Sequence, residues 1–432
     1  MSNPFPKFKI KLLIFFFISI NLVAQISKEE IQRNLTGIKS IENSDNDFTG
    51  YDALSKAIGN TQIVMLGEQT HGHGRTFTAK IKIIEYLVRE KGFDVVAFES
   101  GFYELNKLWE TESDLDTRLS RVRSEIYPDW SAAKELDSFF QLVKKNNQSG
   151  GRLAITGFDC KHDMPYGQKE YLNDFINFID KNNLRLKSAN DFRKFEQLLK
   201  GLITLKTSTR QDVQSRPSSK DEIFFYSVID SLSREINQLQ SSDEVEFWKQ
   251  EMVSLKMQAR NTWVASGWKG ASQLSVRDSA MAQNIIWLAN NKYKGRKIIV
   301  WAASYHIAKE KQVIAHFKSD SKKNELMGNL LNLKLPGRTY SLGFISSDGS
   351  YGEWFRQKFY TYKVNRTQES FEKKLSLLTD AEFAFINMTG VQNENPFLMA
   401  GVHFSESKAV WNKVFDGLFY IRTMKPATYL SK

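Results

Sequence analysis

The chain has 432 residues, a formal net charge of +11 at pH 7 and a single cysteine. With Cys160 alone, an intrachain disulfide, a zinc finger and an iron–sulfur cluster are all excluded. Nucleic-acid binding requires clustered basic residues interleaved with aromatic ones, whereas here the lysines and arginines are scattered among acidic residues. No nucleic-acid partner is predicted, and the length fits one large α/β domain with insertions.

The first 25 residues are predicted to form a secretory signal peptide. Three lysines within residues 7–11 precede the apolar run 12–20, and Leu22-Val23-Ala24-Gln25 follows it. That order is typical of an export signal, and the run is short for a membrane span. We expect cleavage after Ala24 or Gln25, delivery to the periplasm or the medium, and a mature domain 26–432 without a membrane span.

Two predicted strands in the first half of the chain each end on polar groups. The apolar run 63–66 is followed, after a glycine, by Glu68 and His71, and the run 94–98 ends on Glu99. Between the two runs, apolar residues recur at helical spacing, which predicts a right-handed strand–helix–strand unit. Because ligands collect at the carboxyl ends of parallel strands, these polar groups are expected to share one site.

Other segments complete the predicted fold, beginning with a polar helical lead-in over 27–60. Further strands are predicted at 153–159, 297–304, 339–346, 382–388 and 417–422. The strand near 297 runs into His306, a second candidate imidazole. Long charged helices at about 165–265 are predicted to form an insertion that walls the active-site cleft. The prediction is an α/β fold, with a mainly parallel central sheet and helices on both faces.

Glu68, His71, Glu99 and His306 together are suited to activating a water molecule. A neutral imidazole takes a proton from water when a carboxylate holds its other nitrogen. The same four groups could instead ligate a divalent metal ion, although a mechanism without metal or cofactor is favoured. The chain has no Gly-x-Ser-x-Gly, phosphate-loop or His-Glu-x-x-His motif, which argues against the corresponding hydrolases and kinases.

Several other polar residues are expected to have structural roles. His73 is predicted to be an exposed turn residue, and His162 has no partners in the sequence pattern. Arg277 and Asp278 open a helix, where a local cap and an ion pair account for them. Asp159 ends the third strand and either lines the same edge or caps a helix.

Several ordered motifs resemble those of the erythromycin esterase family. They are the Leu-Gly-Glu-Gln-Thr-His-Gly segment at 66–72, Lys80, the segment 92–99, the segment 277–288, the Trp-Ala-Ala-Ser-Tyr-His segment at 301–306, and the Met-Gly-Asn-Leu segment at 327–330. The resemblance extends from about residue 60 to the C terminus and is weakest over 165–265.

The resemblance implies a carboxylic ester hydrolase whose substrate is a small-molecule ester or lactone. His71 matches the family's general base, which activates a water to attack the carbonyl. Glu68 and Glu99 match the carboxylates around that base, and His306 matches a second histidine of the site.

Two departures from the family pattern leave the substrate open. Lys80 stands where the best-known members carry arginine, and it is expected to bind substrate and stabilise the oxyanion. Ala303 stands where the macrolide-opening members carry histidine, which weakens the case for macrolides more than the case for hydrolysis. A metal-dependent, protease-like hydrolase and a non-catalytic ligand-binding protein that keeps the pocket are the alternatives.

Overall fold

The computed structural model describes residues 26–186, 188–204, 217–264, 271–310, 325–355 and 358–429. The predicted signal peptide lies outside these ranges, so export stays a prediction. Within the described ranges, no helix combines the length and the apolar character that crossing a bilayer requires.

The described residues form sixteen α-helices and eleven strands. The helices are α1 (Lys28–Asn34), α2 (Tyr51–Ile58), α3 (Gly74–Lys91), α4 (Phe102–Thr111), α5 (Leu115–Glu125), α6 (Pro128–Ser131), α7 (Leu136–Gln148), α8 (Pro165–Lys181), α9 (Ala189–Thr204), α10 (Ser219–Ile236), α11 (Asp243–Ala259), α12 (Ala271–Trp287), α13 (Ser304–Ile307), α14 (Met327–Lys334), α15 (Phe371–Leu378) and α16 (Trp411–Val414). The strands are β1 (Leu35–Ile38), β2 (Ile63–Glu68), β3 (Phe93–Gly101), β4 (Ala154–Asp159), β5 (Lys297–Ala303), β6 (Thr339–Phe355), β7 (Lys358–Lys363), β8 (Phe383–Asn387), β9 (Phe397–Met399), β10 (Ser407–Ala409) and β11 (Gly417–Met424).

Nine of these strands form one sheet in the order β1-β8-β11-β6-β2-β5-β3-β4, with β7 paired to the far half of β6. The six strands from β11 to β4 are parallel, whereas β8 runs antiparallel to both of its neighbours. β9 and β10 form a separate two-stranded sheet. The predicted α/β fold with a mainly parallel sheet is confirmed.

The central strands are continuous apolar runs because helices cover both faces of the sheet. In β2, Ile63 and Met65 belong to the core on one face, while Val64 and Leu66 belong to the core on the other. This alternation follows from the two-residue period of a strand. Glu68 ends the strand and is itself buried.

Two local predictions differ from the structure. The lead-in over 27–60 is not wholly helical, because β1 pairs antiparallel with β8 at the sheet edge. The strand predicted at 339–346 continues to residue 355, because its second half leaves the parallel sheet and forms a hairpin with β7. In both cases the pairing partner determines the strand, a distant one for β1 and the next segment of the chain for β6.

Helices α8 to α11 occupy most of the range predicted as a helical insertion. Their buried residues join the core on the Ile63 and Met65 face of the sheet. In α11, the Ser242 side chain accepts a hydrogen bond from the Val245 amide and caps the helix, and Trp248 is buried. The statement that these helices wall the active-site cleft stays a prediction.

Candidate active site

The carboxyl ends of β2, β5, β3 and β4 lie side by side at one edge of the sheet. Strand pairing places Glu68 opposite Ala303 and Gly101 opposite Asp159. The parallel order therefore brings together polar groups that are distant in the sequence. Two connected clusters result, one centred on Glu68 and the other on Glu99.

Glu68 is fully buried and held by three donors. Its Oε1 accepts hydrogen bonds from Nδ1 of His71 at 3.1 Å and from Nε1 of Trp130 at 2.9 Å. Its Oε2 forms an ion pair with the ammonium of Lys80. Lys80 also donates to the Ala302 carbonyl at 3.2 Å. The carboxylate is thus fixed in position, and the ammonium of Lys80 compensates its charge.

His71 is the accessible member of this cluster. Its side chain is 37 % exposed, and its ring packs edge-on against Trp130 with the ring centroids 4.9 Å apart. Burial opposes a charge on the ring, but the hydrogen bond and charge of Glu68, with the charges of Glu99 and Asp129, raise the pKa of His71 above its ordinary value. Because Nδ1 faces the carboxylate, Nε2 is the nitrogen left to accept a proton.

The second cluster contains Glu99, His306 and Arg277, which contact one another, together with Asp159 and Asp278. His306 contacts Asp278 through Nδ1 at 2.9 Å and Glu99 Oε1 through Nε2 at 3.2 Å. Nη2 of Arg277 donates to Glu99 Oε1 at 2.7 Å and to Asp159 Oδ2 at 2.6 Å. Glu99 uses its other oxygen to accept from a backbone amide, that of Ala303, at 3.1 Å.

The charges of this cluster keep His306 and Glu99 ionised. Burial disfavours the imidazolium of His306, but the carboxylates of Asp278 and Glu99 outweigh it and raise its pKa to about 10. Burial also disfavours the carboxylate of Glu99, but His306 and Arg277 hold its pKa well below the usual range. At neutral pH, His306 therefore carries a positive charge and is unsuited to act as a base.

The raised pKa of His306 makes a prediction about stability. A pKa of about 10 in the folded chain, above the ordinary value of 6.5, gives stability that is fully present below pH 6.5. That contribution is lost as pH rises through about 10. Urea unfolding between pH 6 and 10 should show the stability advantage of the wild type over His306→Asn shrinking as pH rises. An advantage independent of pH would contradict the charged state of His306.

Lys80 was predicted to bind substrate, and the structure places it in the protein interior against Glu68. Its side chain is inaccessible, its ammonium pairs with Glu68, and it lies 4.7 Å from the centroid of the Trp301 ring. Burial lowers the pKa of Lys80 to about 8, although the Glu68 carboxylate opposes this. Its contact with substrate stays a prediction, while its contact with Glu68 is direct.

The prediction that His73 is an exposed turn residue is wrong. Its ring is fully buried, edge-on to Tyr351 and Phe404, and neither nitrogen has a hydrogen-bond partner among the described residues. Burial lowers its pKa to about 3, so the ring is neutral. His162 is also buried, and it contacts Glu251 at 2.8 Å, a pairing that the sequence pattern did not indicate.

Three site residues were missed or underestimated. Arg277 and Asp278 were explained as a local cap and ion pair, but they contact Glu99, Asp159 and His306. Their place within a family-like motif was the available signal. Trp130, on the four-residue helix α6, reaches Glu68 from a segment that carries no motif.

The donor geometry bears on the metal alternative. Within the ranges that the structure describes, no group of three or more His, Cys, Asp or Glu side chains is arranged to hold a metal ion. Arg277 lies between Glu99 and Asp159 and supplies the positive charge that these carboxylates need. The absence of a metal from the mechanism stays a prediction.

A mainly parallel sheet flanked by helices, with a histidine held by a buried carboxylate at the carboxyl ends of its strands, defines an α/β protein. The sequence model of the erythromycin esterase family matches residues 88–424. The chain therefore belongs to the erythromycin esterase family.

Individual relatives match along most of the chain. It is 23 % identical to "Putative hydrolase YbfO" of Bacillus subtilis (strain 168), with 96 % of both chains covered. It is 22 % identical to "Erythromycin esterase type II" of Escherichia coli, over 88 % of this chain and 94 % of that one. An erythromycin esterase EreC mutant in its open conformation is similar in fold, with a TM-score of 0.67, 15 % identity, and coverage of 92 % of this chain and 100 % of that chain.

Proposed function

We propose that this protein is an exported hydrolase that cleaves a carboxylic ester or lactone with a water molecule activated by His71. One observation carries the proposal: an accessible imidazole has Nδ1 on a wholly buried carboxylate, which leaves Nε2 to accept a proton. Family membership and the name of the E. coli relative support the ester as the bond that is cleaved.

The proposed reaction begins when Nε2 of His71 takes a proton from water as the water oxygen bonds to the substrate carbonyl carbon. The Glu68 carboxylate stabilises the imidazolium that forms. The tetrahedral oxyanion then collapses, the bond from carbon to the alcohol oxygen breaks, and His71 returns its proton to that oxygen. The products are an acid and an alcohol, joined in one chain if the substrate is a lactone.

The Glu99 cluster is proposed to stabilise the oxyanion. His306 and Arg277 place two positive charges at the same sheet edge, and Glu99 and Asp159 orient them. Oriented charges in a site shielded from water stabilise a developing oxyanion more strongly than they would in bulk water. Lys80 acts in this scheme by positioning Glu68, because its ammonium is buried against that carboxylate.

The proposal is tested by mass spectrometry of a macrolide panel, with erythromycin and simple aryl esters included, incubated with purified residues 26–432. A product heavier by one water, formed by the wild type and absent with His71→Ala, supports the proposal. Ligand-dependent stabilisation with no product from any ester would favour a non-catalytic binding protein instead. Cleavage of aryl esters alone would place the natural substrate outside macrolides. Ala303→His, which introduces the histidine of the macrolide-opening members, would then be the first variant to test.

The pH profile gives a second test of His71. Because the base must be neutral and its pKa is raised, kcat/KM should fall as pH drops through a value above 6.5. The charge of Asp129 contributes to that raised pKa. Asp129→Asn should therefore move the acidic limb to lower pH, measured as kcat/KM between pH 5 and 9. An unmoved limb would mean that another group titrates.

The metal alternative is tested by chelation. Since Arg277 already pairs with Glu99 and Asp159, dialysis against EDTA should leave turnover unchanged. Loss of turnover that added Zn²⁺ or Mn²⁺ restores would establish the metal-dependent mechanism instead.

A further inference from the structure

A pocket lies near the amino end of β5, whereas the proposed catalytic groups lie at the carboxyl ends of the strands. It is a cavity of about 640 Å³, formed by the end of α4, the first turns of α11, and the segment that leads into β5. Arg277 and Trp287 lie on the same helix, and α12 rises roughly 15 Å between them. A ligand in this pocket would therefore not contact His71.

The walls of this pocket are aromatic. Trp109, Phe247 and Trp287 line it, and the rings of Phe247 and Trp287 lie 6.4 Å apart at 66° to each other. Trp109 and Trp287 are only partly buried. Half-buried indoles in a concavity of this size provide flat apolar surfaces for a ligand.

Most of the charged groups around the pocket form ion pairs. Lys292 pairs with Glu110 at 2.7 Å, and Arg296 pairs with Asp94 at 3.0 Å. Glu246, on a third side, pairs with a lysine of its own helix at 2.8 Å. The rim thus presents both donors and acceptors, and Asp243 adds a further carboxylate to the lining. A charged ligand that bound the paired groups would have to break their ion pairs.

The backbone at the pocket is also unusual. Residues Leu288–Lys292 form a single turn of π-helix at the end of α12. Asn291 and Lys292 lie on this turn, and both line the pocket. Such turns are rare, and they occur frequently at functional sites because they redirect side chains.

We propose that this pocket binds a neutral saccharide. A sugar ring has apolar faces that pack on indole rings, and hydroxyl groups that both donate and accept hydrogen bonds. Trp109 and Trp287 offer the first kind of contact, while Glu110, Asn291 and Lys292 offer the second. The proposal does not depend on hydrolysis at the carboxyl ends of the strands.

The test is isothermal titration of the full mature chain with maltotriose, cellotriose and N,N′,N″-triacetylchitotriose. At least one should bind saturably, and Trp109→Ala and Asn291→Ala should each weaken that binding, by about tenfold for the tryptophan. Glu244→Gln is the matched control, because Glu244 lies on the same helix turn as the pocket residues but pairs with Lys181 outside it.

His71→Ala should bind the same saccharide with unchanged affinity, which separates the pocket from the catalytic edge. The proposal is overturned if none of the three saccharides binds, or if both pocket variants bind as tightly as the wild type. Tighter binding of glucosamine or glucuronate than of glucose would also overturn it, because the ligand would then be charged.

Discussion

Replacing His71 with alanine is expected to lower kcat by a factor of about 100 or more, the contribution typical of a general base. The substitution removes Nε2, which is the basic nitrogen left available by the hydrogen bond from Nδ1 to Glu68. The fold should persist, because the side chain is 37 % exposed and Glu68 keeps its bonds to Trp130 and Lys80. Single-turnover measurements on an ester that the wild type cleaves give the rate.

His71→Asn is the matched control for this experiment. The asparagine amide can still donate a hydrogen bond to Glu68, but it has no basic nitrogen. The variant therefore distinguishes the role of His71 in holding the carboxylate from its role in accepting a proton. We expect the asparagine variant to be as slow as the alanine variant, with an unchanged melting temperature. A rate near that of the wild type in either variant would remove His71 from the role of base.

The site was predictable where it depends on strand ends. Glu68, Glu99 and His306 each follow a continuous apolar run, and parallel order brings the ends of such runs to one edge. Which carboxylate each histidine contacts was not predictable, because it depends on side-chain direction. His71 contacts Glu68, while Glu99 contacts His306 through a shared network with Arg277.

The largest differences concern charged or polar residues that are buried. Lys80 stands on a helix, where a lysine is ordinarily exposed, but its face of α3 packs over the end of β2. His73 was expected to be an exposed turn residue, but its ring is buried. Arg277 reaches the strand ends from α12, more than a hundred residues after Glu99 and Asp159 in the chain. Sequence periodicity predicts which apolar residues are buried. It does not predict the burial of a charged residue whose charge is neutralised by tertiary contacts.

The ion pair beneath the site leads to the second large expected effect. Lys80→Met should lower the free energy of unfolding by about 3–5 kcal/mol, the range found when one partner of a buried pair is removed. Glu68 would then be a buried carboxylate without a counter-ion, although its hydrogen bonds from His71 and Trp130 remain. Urea denaturation at pH 7 measures the change. Lys56→Met, which breaks an exposed pair with Asp52, should change stability little.

The double variant distinguishes a buried-charge penalty from lost packing. In Glu68→Gln/Lys80→Met neither residue is charged, so most of the stability lost in Lys80→Met should return, while activity stays low because His71 has lost its carboxylate. If the costs of the two single changes simply add in the double variant, Lys80 does not act through Glu68. The expected outcome, in which stability returns and turnover does not, would show that an uncharged pair supports the fold as well as the charged one. The charged pair would then be required for the chemistry of His71.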